Sequence, residues 1–272
     1  MSTPLDDRPD GDPPKPDDAT PAIGANLARW RAQGGGDTDP IPNMEAIIAA
    51  AQEMQPYSSQ RTTKVAAVLF DIRTGEILGK AANSFASGIH MTDDEMRADR
   101  DRKDKNIAHA EETVLDDFMR RVNNGETPPV PTKYLGVYAT HSSCPRCARK
   151  ISRTGISTFV STTSSLDVDD RFARNWAVDI MDGKEILDKR EEDLGGPVDV
   201  RLVTVDPDPE LAAKGKFKWA DPRTDHFKPV EEQAARLKAG DAEYQPPKPQ
   251  IGPPANSDDP GGPDQAPRRK IP

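Results

Sequence analysis

The chain has 272 residues, with 37 lysines and arginines against 46 aspartates and glutamates, so its formal net charge at pH 7 is −9. This acidic balance argues against broad binding to nucleic acid or to an anionic membrane, because both attract basic surfaces. No segment approaches the ~18 consecutive apolar residues of a membrane span, and the N-terminus lacks the basic-then-apolar order of a secretory signal, so we expect a cytoplasmic protein.

Prolines divide the chain into three parts. Six of the 27 prolines lie within residues 43–205, and the other 21 lie in the 109 flanking residues. Proline lacks a backbone donor and interrupts helices and strands, so the flanks are poor material for a packed fold. The sequence therefore predicts a disordered, acidic and Pro-rich arm over residues 1–42, one domain over 43–205, and a Pro-rich, mostly disordered tail over 206–272. Within that tail, residues 229–239 form a short amphipathic segment that either packs on the domain or frays.

The central part begins with a helical pattern and a hairpin. Asn43 is a candidate N-cap for a helix whose apolar residues recur at helical spacing until Pro56. Residues 64–70 (KVAAVLF) and 76–81 (EILGKA) are predicted strands, joined by a short turn into a β-hairpin. A polar and highly charged stretch then occupies residues 91–105.

Helices and strands alternate after this stretch. A helix is predicted over residues 107–122 and another over Pro145–Thr154, where Pro stands in the first turn and Gly155 follows the last. The other predicted elements are, in chain order, a strand over 134–140, a strand over 156–161, a helix over 172–187 and a strand over 198–205. Two opening strands followed by alternating helices and strands predict an α/β layer fold.

Two short motifs supply the donors of a metal site. His109 and Glu111 lie near the start of the helix predicted over 107–122, and Cys144 and Cys147 lie where a strand gives way to the next helix. One imidazole and two thiolates are typical of catalytic zinc, because structural zinc usually has four protein ligands. Helix N-termini also favour thiolate over thiol. An H-x-E motif followed by C-x-x-C is typical of zinc deaminases, in which the glutamate moves protons and does not bind the metal.

Each motif alone has a simpler interpretation. A C-x-x-C at a helix start is also compatible with a thioredoxin-like redox pair, and a lone H-x-E is common by chance. The redox interpretation leaves His109 and Glu111 unexplained. Motif order, secondary-structure context and ligand count together favour zinc.

The two motifs lie among other segments with a recognisable pattern. These are residues 83–88 (NSFASG), 93–103 (DDEMRADRDRK), 138–148 (YATHSSCPRCA) and 151–160 (ISRTGISTFV). They resemble four segments of the deoxycytidylate (CMP/dCMP-type) deaminases of the cytidine-deaminase-like superfamily. In the same order, these are N-G-x-P-x-G, the D-T-x-E-R-L-x-D-R stretch of a bacterial branch, Y-V-T-x-x-P-C-x-x-C-A, and the helix, glycine and strand that follow it. The resemblance extends over about 160 residues, from 44 to 205.

This resemblance implies a three-layer α/β/α cytidine-deaminase-like fold with a mixed central sheet. It also implies one catalytic Zn²⁺ per chain, held by His109, Cys144 and Cys147. Glu111 is then the catalytic acid–base, and the protein is a homo-oligomer that acts on a small nucleotide.

The resemblance also assigns substrate contacts and a reaction. Asn83 is expected to bind the sugar, and the turn that includes Thr140, Ser142 and Ser143 is expected to face the edge of the base. The implied reaction is zinc-dependent hydrolytic deamination of a cytosine nucleotide, dCMP to dUMP and ammonia.

Four sites depart from the family pattern without removing a ligand. Ser143 stands where the family usually has proline, and Ser84 replaces a glycine. Glu112 and Thr113 stand where the family often has an asparagine near position 113, and Asp104 occupies a place that is commonly aromatic. These departures leave the preferences for sugar and phosphate open. The cations that could meet a phosphate are Arg61, Arg100 and Lys103.

Two other functions are compatible with the same motifs. The zinc chemistry also serves a base in tRNA or in single-stranded DNA, although the acidic balance and the lack of a basic, aromatic-rich stripe count against a polymer substrate. A non-catalytic zinc-bearing interaction protein could use its Pro-rich tails to bind partners. Glu111 discriminates against that function, because a purely structural zinc site does not need it.

Overall fold

The computed structural model describes residues 41–60, 63–85, 89, 91–221 and 223–240. The predicted acidic arm, apart from its last two residues, lies outside the described residues, as does the tail beyond residue 240.

The described residues form helices on both sides of a central sheet. The helices are α1 (Met44–Met54), α2 (Asp93–Ala98), α3 (Arg100–Asn106), α4 (Ala110–Asn123), α5 (Pro145–Thr154), α6 (Arg171–Asp188), α7 (Pro209–Ala213) and α8 (Lys228–Ala239). The strands are β1 (Ala66–Asp71), β2 (Ile77–Ala82), β3 (Ser84–Phe85), β4 (Ile107–Ala108), β5 (Leu135–Ala139), β6 (Thr158–Thr162), β7 (Asp199–Val205) and β8 (Phe217–Trp219).

The central sheet has six strands in the order β2-β1-β5-β6-β7-β8. β1 is antiparallel to both β2 and β5, β5 to β7 run parallel, and β8 is antiparallel to β7. The pairing of β1 with β5 brings the start of β1 to the carboxyl edge of β5, where Thr140 N–H donates to the carbonyl of Ala66 at 3.0 Å. The short strands β3 and β4 pair separately.

Side chains of alternating direction along the strands build a core on each face of the sheet. On one face, Leu69 and Val137 pack with α4 and α5, which contribute Leu115 and Ile151. On the other face, residues of α1 pack against the sheet, and the buried members of that core are Ile41, Met44, Ile47, Ile48, Ala51, Ala66, Val68, Phe70, Tyr138, Val160 and Val203. The expected three-layer α/β/α fold with a mixed central sheet is confirmed.

The segment after residue 205 differs from the predicted disordered tail. β8 extends the sheet beyond β7, and α8 packs on α6 through Val230 and Ala234, which are 0% and 4% exposed. Gly215 lies against α1 so closely that a Cβ there would be 1.8 Å from the carbonyl oxygen of Glu45. The described fold therefore continues to residue 240, and the amphipathic segment at 229–239 packs rather than frays.

Smaller differences concern the ends of elements. Asn43 precedes α1 as predicted, but it has a left-handed backbone (φ 53°) and its side chain donates to the carbonyl of Thr74 instead of capping the helix. The charged stretch from residue 91 contains α2 and α3, each of which begins with a side-chain cap from Thr92 or Asp99. The helix predicted from residue 107 begins at Ala110, because residues 107–108 form β4.

Among the described helices, none combines the length and the apolar character that crossing a bilayer requires.

Replacing Val230 by alanine tests whether α8 is part of the folded domain. Two buried carbons are removed, so we expect Val230→Ala to lower the free energy of unfolding by about 2 kcal/mol. Chemical denaturation of the full chain measures this change. Glu232→Ala, at an exposed position of the same helix, is the control and should change stability little. Equal stability of the Val230 variant and the parent protein would contradict the packing of α8.

Candidate metal centre

Three elements bring the predicted metal ligands together at the carboxyl edge of β5. His109 lies between β4 and α4, directly before the first residue of that helix. Cys144 occupies the corresponding position before α5, where Pro145 is the first helical residue, and Cys147 lies in the first turn. Because α4 and α5 pack on the same face of the sheet, their N-termini meet.

The three donor atoms have the spacing that zinc requires. His109 Nδ1 is 3.4 Å from Cys144 Sγ and 3.3 Å from Cys147 Sγ. For tetrahedral zinc, with bonds of about 2.0–2.1 Å to nitrogen and about 2.3 Å to sulfur, neighbouring N and S ligands lie about 3.6 Å apart. Within the described part of the chain, these residues form the group that could hold a metal ion, with all ligand atoms within 4.8 Å of one another. The predicted zinc set fits this geometry.

The electrostatics of the two cysteines differ. A hydrogen bond from Cys147 and another from His109 lower the pKa of the Cys144 thiol to about 4, although burial opposes this change. The same contact and burial raise the pKa of the Cys147 thiol. Cys144 therefore carries the negative charge, at a helix N-terminus that also stabilises a thiolate. The hydrogen bond to Cys144 raises the pKa of His109.

Glu111 is a buried carboxyl group beside the three ligands. It is only 4% exposed, two residues after His109 in the first turn of α4. Burial, followed by the nearby charge of Cys144, raises the pKa of Glu111 to about 7. A carboxyl group whose pKa is near neutrality can both accept and return a proton, which suits general acid–base work.

The predicted substrate turn is held by hydrogen bonds within the protein. Thr140 Oγ1 accepts from the N–H of Ala66 at 3.1 Å, and Ser142 Oγ lies 2.8 Å from Ser165 Oγ. Ser143 is 3% exposed, and its hydroxyl donates to the carbonyl of Cys144. The backbone of the turn is bonded within the protein as well: Ser142 N–H donates to Ser165 Oγ at 3.1 Å, and the carbonyl of Thr140 accepts from Thr162 Oγ1 at 2.9 Å. These contacts fix the shape of the turn.

His141 lies in the same turn but outside the metal group. Its ring packs edge-on against Phe172 at a centroid distance of 4.4 Å. Burial lowers the pKa of His141 to about 4, so the imidazole is neutral near pH 7. Thr140 and His141 border a cavity of about 200 Å³, whose other lining residues include Gln52, Gln55 and Ser165.

Asn83 lies at the end of β2 and is 5% exposed. Its Oδ1 accepts from the hydroxyl of Ser58 at 2.6 Å and from the N–H of Val65 at 2.9 Å, and its Nδ2 donates to the carbonyl of Thr63 at 3.0 Å. An asparagine amide offers two acceptor positions and two N–H groups, so the contacts with described residues occupy both acceptor positions and one N–H. Asn83 thus anchors the loop before β1.

The candidate phosphate-binding cations are not brought to the metal group by any described contact. Arg61 lies outside the described residues, and so does the side chain of Arg100. Lys103 lies in α3 and has an interaction of its own.

The sequence did not predict a supporting role for two residues that hold the ligand segments in place. Thr113 Oγ1 donates to the carbonyl of His109 at 2.9 Å and so fixes the backbone that carries the imidazole. Gly183 of α6 lies against the turn before α5, where a Cβ would be 2.1 Å from the carbonyl oxygen of Ser143. An isolated glycine inside a predicted helix was the available signal, because such a residue often has a packing reason.

Residues 42–163 match the family described as the cytidine and deoxycytidylate deaminase zinc-binding region. A search of the curated proteins found no match. The donor set and the matched region agree on zinc as the cofactor.

Several solved structures are similar at low identity. A dCMP deaminase from the cyanophage S-TIM5 in apo form is 21% identical, with a TM-score of 0.38, and the match covers 58% of this chain and 95% of that one. The same enzyme in complex with dCMP and dUMP is 20% identical, with a TM-score of 0.36, covering 57% and 94%. A tRNA:A34 deaminase is 19% identical, with a TM-score of 0.29, covering 43% and 74%.

Replacing Gly183 by alanine tests the close contact of α6 with the turn. In an open helix this change would stabilise the protein by roughly 0.5–1 kcal/mol. Here the new Cβ would push against the Ser143 carbonyl, and overpacking of this kind costs about 1–3 kcal/mol. We therefore expect a net loss of stability in chemical denaturation, together with weaker zinc binding.

Arg174→Ala, at an exposed position of the same helix, is the matched control for Gly183→Ala. It should leave zinc affinity unchanged. A Gly183 variant that is more stable than the parent protein and binds zinc equally well would show that the contact is not tight.

Proposed function

We propose that this chain is a zinc-dependent deaminase that hydrolyses the free nucleotide dCMP to dUMP and ammonia. The match of residues 42–163 to the zinc-binding region of the cytidine and deoxycytidylate deaminases supports the reaction class. The observation that carries this proposal is the convergence of one imidazole, two thiol groups and a buried carboxyl group at two helix N-termini. A structural zinc site is usually closed by four protein ligands, whereas three ligands leave a position open.

Each group at the centre has a separate task in this reaction. His109, Cys144 and Cys147 would hold the metal. When bound, zinc would supply a nucleophile at neutral pH, because it lowers the pKa of a coordinated water to about 7.

Glu111 moves the protons of the reaction. Its carboxylate accepts a proton from the attacking water and delivers protons to N3 of cytosine and to the departing amino group. A C4–O bond forms, the C4–N4 bond breaks, and ammonia leaves. The buried position of Glu111 supports this role, because the carboxyl group is held beside the ligands and has a pKa of about 7.

The substrate contacts follow from the turn and from Asn83. The backbone of the turn at residues 140–143 is proposed to meet the base edge, with the side chains of Thr140, Ser142 and Ser143 holding it in shape. The second N–H of the Asn83 amide is proposed to meet the sugar. The homo-oligomer and the cytoplasmic location remain predictions of the sequence.

Replacing Glu111 by glutamine tests the proton-transfer role. The amide keeps the shape of the side chain but cannot accept the proton, so turnover should fall by about 10²–10⁴-fold or more. Zinc content, measured by metal analysis of the full-length protein, should stay near one per chain. Retained turnover would contradict the assigned role, and lost zinc would show that Glu111 is a ligand.

A substrate panel tests the proposed substrate. Ammonia release should be fastest with dCMP, when the purified zinc-loaded protein is compared on dCMP, CMP, deoxycytidine, cytidine and single-stranded DNA. Each arm is repeated with the Glu111→Gln variant as the control for contaminating activity. Activity on the polymer alone would overturn the proposal in favour of base deamination in nucleic acid.

A further inference from the structure

An arginine inside the C-x-x-C motif connects the two segments that carry the metal ligands. Arg146 Nε donates to Glu112 Oε1 at 2.7 Å, and Arg146 Nη1 donates to the carbonyl of Ile107 at 3.4 Å. Arg146 lies between Cys144 and Cys147.

Both partners of this arginine flank the other motif. Ile107 precedes His109 by two residues, and Glu112 directly follows Glu111. A single planar guanidinium therefore contacts the chain on both sides of the H-x-E motif. This contact fixes the distance between the N-terminus of α4 and that of α5 at the level of the ligands.

Glu112 is partly buried, which distinguishes this contact from a fully exposed ion pair. The Glu112 side chain is 15% exposed, whereas that of Arg146 is 49% exposed. The second carboxylate oxygen of Glu112, Oε2, is buried and has no hydrogen-bond partner among the described residues. Within the described part of the chain, Arg146 is the cation that contacts this carboxylate, and a charge that is partly removed from water is costly without its partner.

We propose that Arg146 and Glu112 are positioning residues that clamp the imidazole of His109 against the two cysteine thiols in zinc-binding geometry. The proposal rests on the ligand set of the proposed function. Arg146 acts through the backbone that carries the ligands, and neither residue is a ligand itself. Outer contacts of this kind typically contribute 10–100-fold in metal affinity.

The chain offers a matched control one turn further along the same helices. Lys150 Nζ contacts Asp116 Oδ1 at 2.5 Å, and this pair also joins α5 to α4. Its side chains are 38% and 65% exposed, and their described hydrogen bond joins only Lys150 and Asp116. If any ion pair between α4 and α5 were enough to hold the zinc ligands in place, removal of either pair would weaken zinc binding equally.

For the variant Arg146→Met, loss of the positive charge and loss of the positioning contact predict opposite changes in zinc affinity. Removing a positive charge near a Zn²⁺ site should strengthen metal binding by Coulomb's law. Removing a clamp should weaken it, because the ligands lose their fixed spacing. Arg146→Met keeps much of the aliphatic stem and deletes the charge and the donors, so the direction of the change in affinity separates the two effects.

The experiment measures zinc dissociation constants of full-length proteins by competition with a chromophoric chelator. We expect Arg146→Met to raise the dissociation constant by about 10–100-fold, and Lys150→Met to change it by less than about twofold. Absorption spectra of the Co²⁺-loaded proteins report ligand geometry. They should change in Arg146→Met and in Glu112→Gln, and stay unchanged in Lys150→Met.

Three results would overturn the clamp. These are unchanged or tighter zinc binding in Arg146→Met, equal weakening in Lys150→Met, and unchanged Co²⁺ spectra in both clamp variants. If Arg146→Met does not fold, the affinity and spectrum of Glu112→Gln decide by the same criteria. A parent protein that binds no zinc would overturn the proposed function and the clamp together, whereas zinc binding that is insensitive to Arg146 would overturn the clamp alone.

Discussion

The metal centre depends on one constraint, the convergence of two helix N-termini at the carboxyl edge of β5. The position of a metal ligand on a helix is fixed by the position of that helix, and the three donor atoms must lie within a few ångströms of one another. The sheet meets this requirement because α4 and α5 pack side by side on one face, over the buried residues Leu69 and Val137. The apolar core under these helices is therefore part of the metal-binding machinery.

The same convergence creates the electrostatic environment of Glu111. A carboxyl group in the first turn of a packed helix is removed from water, and burial raises its pKa to about 7. The pKa of Cys144, at the neighbouring N-terminus, is lowered to about 4. These two neighbouring acids thus differ in their affinity for the proton. Cys144 is suited to bind a cation, and Glu111 is suited to transfer protons.

Much of this arrangement can be predicted from the sequence, because the helices, the strands and the ligand motifs each leave a pattern within a short segment. The spacing of apolar residues predicts the main helices and the strands of the sheet, and the H-x-E and C-x-x-C motifs identify the ligands. Contacts between distant segments leave no such pattern. The hydrogen bonds of the Asn83 amide, the contact of Arg146 with Ile107 and the packing of α8 all depend on residues far apart in the chain. β8 has only three residues, too few for a strand pattern to be recognised.

Residues beyond the matched zinc-binding region also hold the ligands in place. That region ends at residue 163, yet Gly183 of α6 lies directly against the carbonyl that precedes Cys144. The same helix α6 also packs on α8, through a core that contains Ile180 and Val230. A displacement of α8 would therefore reach the turn before α5 through one helix, without passing through the sheet. For this reason the C-terminal segment up to residue 240 belongs to the physical basis of the metal centre, although its sequence carries no catalytic motif.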